Sequence, residues 1–138
     1  MKYEGVTCGL EIERPAPAVV VMRLTGWDTG EFGDAPMKEI ARHFGAGPIQ
    51  LFIDARAVKG ATIDVSNEWA LWLRANRPRL ARVSMLTGSP FVQLTAKFVA
   101  RFAEISDIMR IYSDPGAFDS ALRDAIHNRG APDKKIGL

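Results

Sequence analysis

Three side chains in the middle of the chain could act together chemically: Asp54, Asp64 and Ser66. Asp54 ends a short apolar run of Ile49, Leu51, Phe52 and Ile53, the pattern of a strand buried on both faces. Asp64 and Ser66 open a helical pattern after an intervening loop expected at residues 55–62. All three could therefore line one loop at the carboxyl end of a central strand, where α/β proteins place their sites. The same residues have a plainer use. Asp54 can hold the turn and Asp64 or Ser66 can cap the helix, worth about 1 kcal/mol.

The remaining reactive groups offer less. His43 and His127 each stand near the carboxyl end of an expected helix and far from each other, which argues against a metal site or a Ser–His pair. Cys8 has no basic neighbour to activate it as a nucleophile. Gly45 and Gly47 precede a strand, the reverse of a phosphate-binding loop. No enzyme signature emerges, and no catalytic, cofactor-binding or metal-ligating residues are expected.

The aromatic residues carry more. Trp69 and Trp72 share a helix face with Leu73, which reads as core, yet indole rings also anchor interfaces. The next helix has Phe91, Leu94, Phe98 and Phe102 at intervals of three and four, expected inward, with Lys97, Arg101 and Glu104 outside. Val92 and Val99 make this helix apolar over more than one face. That surplus predicts a second apolar surface, either a homodimer seam or the mouth of a hydrophobic pocket. Arg74, Arg77, Arg79 and Arg82, with Lys97 and Arg101, could form a basic patch or a solvated helix end. If an apolar pocket exists, Arg74, Arg77 and Arg101 are the expected basic rim. Lys and Arg number 18 against 16 Asp and Glu, a net charge of only +2, and aromatic residues do not interleave with the basic ones. Nucleic acid is accordingly not an expected partner.

These groups need a scaffold, and the pattern supplies one. With 138 residues, 47% apolar and 25% charged, the composition is that of a globular protein large enough for a core. Residues 10–14 alternate and residues 18–24 are valine-rich, a hairpin around Pro15 and Pro17 with its first strand at the sheet edge. A helix entered through Asp34 and Pro36 precedes the strand that ends at Asp54. The helix from Asp64 is limited by Pro78. Residues 83–87 form a strand, Ser89-Pro90 starts the phenylalanine-bearing helix, and residues 108–112 form another strand. Ser113-Asp114-Pro115 opens a last helix, with Phe118, Ala121, Leu122 and Ala125 inward. The order is ββαβαβαβα, an α/β fold with a mixed, mostly parallel sheet and an antiparallel N-terminal edge strand. One domain is expected over 1–130, with a C-terminal tail at 131–138. The amino terminus has no signal-peptide pattern and no run is long enough to span a bilayer, so a cytoplasmic protein is the expectation.

This order, with the strand at 51–55 leading through Val58 to Asp64-Val65-Ser66, and Ser89-Pro90-Phe91-Val92 after the next strand, resembles a STAS domain. That family includes anti-sigma-factor antagonists and the cytoplasmic domains of sulfate transporters. The resemblance covers residues 10–127 and is nearest to small stand-alone bacterial STAS-like proteins. Regulatory members continue Asp-Ser-Ser/Thr-Gly, and a partner kinase phosphorylates the serine after the aspartate. Here Asp64 matches the aspartate, Val65 occupies the phosphoacceptor position, Asn67 the glycine position, and Ser66 the neighbouring hydroxyl position. The phospho-switch is not carried over.

The resemblance implies a non-catalytic regulatory module that docks a protein partner or itself. Its surface would comprise Asp54, Asp64, Ser66, Trp69, Trp72, Phe91, Phe98 and Phe102. The alternative is a binder of a small amphipathic ligand or lipid, since the CRAL-TRIO fold has a similar architecture. Its apolar cavity would be lined by Trp69, Trp72, Phe98 and Phe102.

Overall fold

Hydrogen bonding at the amino terminus begins earlier than the hydrophobic pattern does. In the computed structural model, which describes residues 1–128, the polar and exposed strand Lys2–Glu4 (β1) pairs antiparallel with Cys8–Ala16 (β2). The Met1 amine donates to the Ile12 carbonyl at 3.0 Å and fastens this strand further. β1, not the expected first strand of the hairpin, is therefore the sheet edge. The tail expected at 131–138 lies outside the described residues.

β2 pairs antiparallel with Val19–Asp28 (β3), and from there every step is parallel. Ala35–Ala41 (α1) leads to Ile49–Ala61 (β4), and Ile63–Ala75 (α2) to Leu80–Leu86 (β5). Pro90–Phe102 (α3) leads to Met109–Tyr112 (β6), and Pro115–Asn128 (α4) follows. Spatial order equals chain order, β1 to β6. No helix among the described residues is long and apolar enough to cross a membrane.

The period-two alternation of the strands divides the core into two layers. Val20, Met22, Leu51, Ile53 and Val83 face one way and join Ile40 of α1, Leu73 of α2 and Ala100 of α3. Val19, Val21, Phe52 and Leu86 face the other way, under Phe118 and Ala125 of α4. Phe118 is set edge-on to both Phe52 and Tyr112, with ring centroids 5.8 Å apart in each pair. The first half of β4 is buried on both sides, as its apolar run of Ile49, Leu51, Phe52 and Ile53 predicts.

One difference from the sequence expectation matters for everything after it. Residues 55–62 are not a loop: β4 continues to Ala61, paired with β3 through Trp27↔Gly60 and Asp28↔Ala61. Its pairing with β5 stops at Asp54↔Leu86, so β3 and β4 project together beyond the rest of the parallel sheet. Small and charged residues there hid the strand, and two bulges let it keep pairing. The Trp27 side chain lies close over Gly60, where a Cβ would be 2.7 Å from its ring.

A carboxylate ties the amino-terminal turn to the segment after β3. Glu31 accepts from the Thr7 hydroxyl at 2.7 Å and from the backbone N–H groups of Val6, Thr7 and Cys8 at 2.9, 2.7 and 3.0 Å. These bonds, led by the Thr7 hydroxyl, lower its pKa from an ordinary 4.5 to about 2. A depressed carboxyl pKa stabilises the folded state fully above the ordinary value and loses that contribution as pH falls through the folded one. Thermal unfolding followed between pH 4.5 and 2 is therefore expected to show a pH-dependent loss that Glu31→Gln reduces. Equal slopes for the two proteins would show that this anchor is not what titrates.

Candidate functional site

Where β4 runs straight into α2, the first free side chain able to cap the helix is Thr62. Its Oγ1 accepts from the Val65 N–H at 3.3 Å, and its own N–H donates to the Asp28 carbonyl at 3.0 Å. The cap therefore lies two residues before Asp64, correcting the assignment of that role to Asp64 or Ser66. Asp64 is exposed in the first turn, and Ser66 is half-buried.

Asp54 does not join them. Strand parity sends it to the α4 side of the sheet, opposite the layer that holds α2. There it accepts from Arg56 Nε at 3.0 Å, and Arg56 reaches on to Asp119 of α4 at 3.1 Å. These two carboxylates hold the Arg56 guanidinium pKa above its ordinary value, the Asp54 hydrogen bond first. Asp54 is thus half of a clamp on α4, and the loop site expected from Asp54, Asp64 and Ser66 is not assembled.

On the α2 side the projecting strands, α2 and α3 enclose a cavity of about 120 Å³. Met22, Ile53, Met85 and Met109 form its floor, Val65, Trp69 and Leu73 one wall, and Val92, Ala96 and Val99 the other. Ser66, Thr95, Thr25 and Asp28 are the polar groups on its lining. Of the four residues expected to line a pocket, only Trp69 does. Trp72 turns to the other flank of α2 and stacks on Phe44, centroids 6.1 Å apart, while meeting Trp69 edge-on at 5.8 Å.

The packing of α3 reverses the expected orientation. Val92, Ala96 and Ala100 are its buried residues, whereas Phe91, Leu94, Phe98 and Phe102 are 58%, 68%, 65% and 55% exposed. Small side chains let the helix lie close to the sheet, and the phenylalanines are left on its flank. Thr95, which lines the cavity, stands one turn from both Phe91 and Phe98, so this row borders the opening between α2 and α3. Phe98 and Phe102 stack at 6.3 Å. The Ser89 side chain caps the helix by accepting from the Val92 N–H at 3.2 Å.

The expected basic rim is mostly consumed elsewhere. Arg74 pairs with Glu104 at 3.3 Å, and Arg77 makes a two-pronged contact with Asp107 at 3.0 and 2.7 Å. The Arg77 bonds hold the Asp107 carboxyl below the ordinary range. Arg74 lies at the far end of α2 and Arg77 in the short 3-10 turn Arg77–Arg79 beyond it, away from Ser66. Lys97 and Arg101 remain, exposed on α3 and without an ion-pair partner among the described residues.

Groups with intrinsic reactivity are placed apart. Cys8 is buried, and that burial, ahead of the Asp28 charge, pushes its thiol pKa up. His43 lies 3.5 Å from Glu39, its neighbour one turn back. Among the described residues no group of three or more His, Cys, Asp and Glu is placed to hold a metal ion.

No family model matches the sequence, and no curated protein matches it. Solved structures do. A protein of the DUF3478 family with a SpoIIAA-like fold, from Shewanella loihica, is 15% identical over 88% of this chain and 98% of its own, with a TM-score of 0.60. An anti-sigma factor antagonist from Mycobacterium paratuberculosis is 16% identical over 86% of this chain and 96% of its own, with a TM-score of 0.55. The phosphorylated form of the Bacillus cell fate determinant SpoIIAA is 18% identical over 81% of this chain and 98% of its own, at 0.52.

The local assignments lead to a measurable contrast. Thr62→Ala is expected to cost about 1 kcal/mol in denaturant unfolding, as loss of an N-cap does, and Ser66→Ala under half of that. A larger loss at Ser66 would move the cap back to the later position. The strand order, the helices on both faces and these structural likenesses agree: the chain has the SpoIIAA-like, or STAS, fold.

Proposed function

We propose that this protein is a non-catalytic regulatory module that works by docking a protein partner on the α2–α3 surface. The observation that carries this reading is the outward-facing row Phe91, Leu94, Phe98 and Phe102. Leaving four large apolar side chains in water on one helix is a cost that a covering partner removes, at about 25 cal/mol per Å² of apolar surface. Leu71 and Ile63 of α2 are exposed as well. The anti-sigma factor antagonist among the structural neighbours supports a regulatory role of this kind. A switch by phosphorylation at the position after Asp64 is not part of the proposal, because Val65 is buried there and has no hydroxyl.

Gentle native mass spectrometry of the protein from its own host tests the reading. A co-purifying protein, with no bound small molecule, is the expected result. The double change Phe98→Ser with Phe102→Ser should then weaken the complex on the order of 30-fold, as truncated hot spots do, and move the stability of the free protein little. Complex formation unchanged in the double variant would sink the docking surface.

The cavity favours a second reading, a binder of one small apolar molecule. At about 120 Å³ it is near the size of an engineered cavity, about 150 Å³, that takes benzene. Benzene is expected to raise the melting temperature of the wild-type protein and not that of Ala96→Leu, whose added carbons fill the space. No shift in either protein would remove this reading.

A further inference from the structure

The cations left on α3 say something about what covers it. The helix Pro90–Phe102 contains Lys97 and Arg101 and no acidic residue at all. Both are exposed and without an ion-pair partner among the described residues, while the nearby Arg74 and Arg77 are neutralised by Glu104 and Asp107. Around the exposed side of the helix, Lys97 and Arg101 form one edge and Leu94, Phe98, Phe91 and Phe102 follow beside them. Beside them, between α2 and α3, lies the apolar cavity bordered by Thr95.

We propose that the partner is an acidic amphipathic segment: its apolar side chains lie along the row from Phe91 to Phe102, one enters the cavity beside Thr95, and its carboxylates pair with Lys97 and Arg101. The inference rests on the docking reading above and adds the chemistry of the partner. It follows the general logic of an amphipathic helix in a groove, with apolar anchors for affinity and charge for choice of partner.

Three other occupants fit less well. A second copy of this chain would bring two Lys97 and two Arg101 side chains into one two-fold seam. No carboxylate from α3 would balance them, and Glu104 is already engaged by Arg74. A bilayer is flat and has no use for the cavity. With 3.6 residues per turn, Leu94 and Phe98 lie farthest from the buried side of α3, with Arg101 flanking one and Phe91 the other, so the unfilled cavity is what separates a bilayer from a peptide here. A drug-sized ligand needs about 300–1,000 Å³, well beyond the 120 Å³ enclosed here.

The test uses two synthetic amphipathic peptides with leucine at every third and fourth position. One carries glutamate at its polar positions and the other lysine. Each is titrated into the full chain, with calorimetry and tryptophan fluorescence as readouts, since Trp69 lines the cavity. The glutamate peptide should bind about tenfold or more tighter than the lysine peptide. Lys97→Glu with Arg101→Glu, at exposed positions, should reverse that preference, and Phe98→Ser should abolish binding of the glutamate peptide.

Equal binding of both peptides, lost in Phe98→Ser, would overturn the acidic partner while leaving the docking surface standing. Binding that survives Phe98→Ser, or no binding of the glutamate peptide, would overturn the inference, the first of these taking the docking surface with it. Co-sedimentation with phosphatidylglycerol vesicles in preference to the glutamate peptide would also overturn it, in favour of a membrane surface.

Discussion

The structure depends on the parallel ladder between β3 and β4. Over Val19–Arg23 and Ile49–Asp54 the two strands form the buried middle of the sheet, with apolar side chains on both faces. A parallel pair buried on both faces leaves water no access to its backbone groups, so the ladder must be satisfied from within. Helices are then required on both sides, and right-handed crossovers carry them there. The same ladder runs on past the point where β5 leaves β4. Beyond Asp54 β4 has no strand on its β5 side, while β3 still pairs with β2 as far as Gly26, and α2 and α3 cover only part of the space beside β4. The cavity is the remainder. It therefore follows from strand lengths, since three neighbouring strands of equal length would close the floor at that end.

The inward face of α3 sets the second feature. Three alanines, Ala96, Ala100 and Ala103, with Val92, are buried against the sheet and α2. Larger residues in those places would lift the helix away, so the close approach and the outward phenylalanines are one arrangement seen from two sides. Turning α3 to bury Phe98 and Phe102 would lose the alanine contacts and bring Lys97 or Arg101 toward the core. An uncompensated buried charge costs more than exposed apolar area. The helix is thus held with its largest apolar groups in solvent.

Much of the architecture was legible because apolar residues change period at each boundary. The alternation at 10–14, the apolar run within 49–53 and the Ser-Pro and Asp-Pro entries to α3 and α4 all become the elements they suggest. β1 was not legible: Lys2-Tyr3-Glu4 is exposed, and only backbone pairing with β2 defines it. The sequence at residues 55–62 reads as a loop because small and charged residues dominate there, while pairing with β3 makes 55–61 strand. The helix starts earlier than the sequence suggests for a related reason. Asp64 and Ser66 are good capping types, yet β4 turns into α2 without a loop, and Thr62 reaches the free N–H first.

The candidate site was less legible than the fold. Periodicity says that α3 has an apolar face wider than one contact needs, and the surplus was visible from Val92 and Val99 beside the phenylalanines. It does not say which half of that face is buried. Size suggests the phenylalanines; the distance between helix and sheet selects the alanines. Asp54 failed differently, since one step of strand parity moved it through the sheet, where its charge is used by Arg56 and Asp119. Residues adjacent in a strand–helix step are close along the chain but can stand on opposite sides of the sheet. What α2 and α3 share is instead set by the crossover that places them side by side. The surface they form is therefore read from Ser66, Thr95 and the phenylalanine row together, residues that no single stretch of sequence unites.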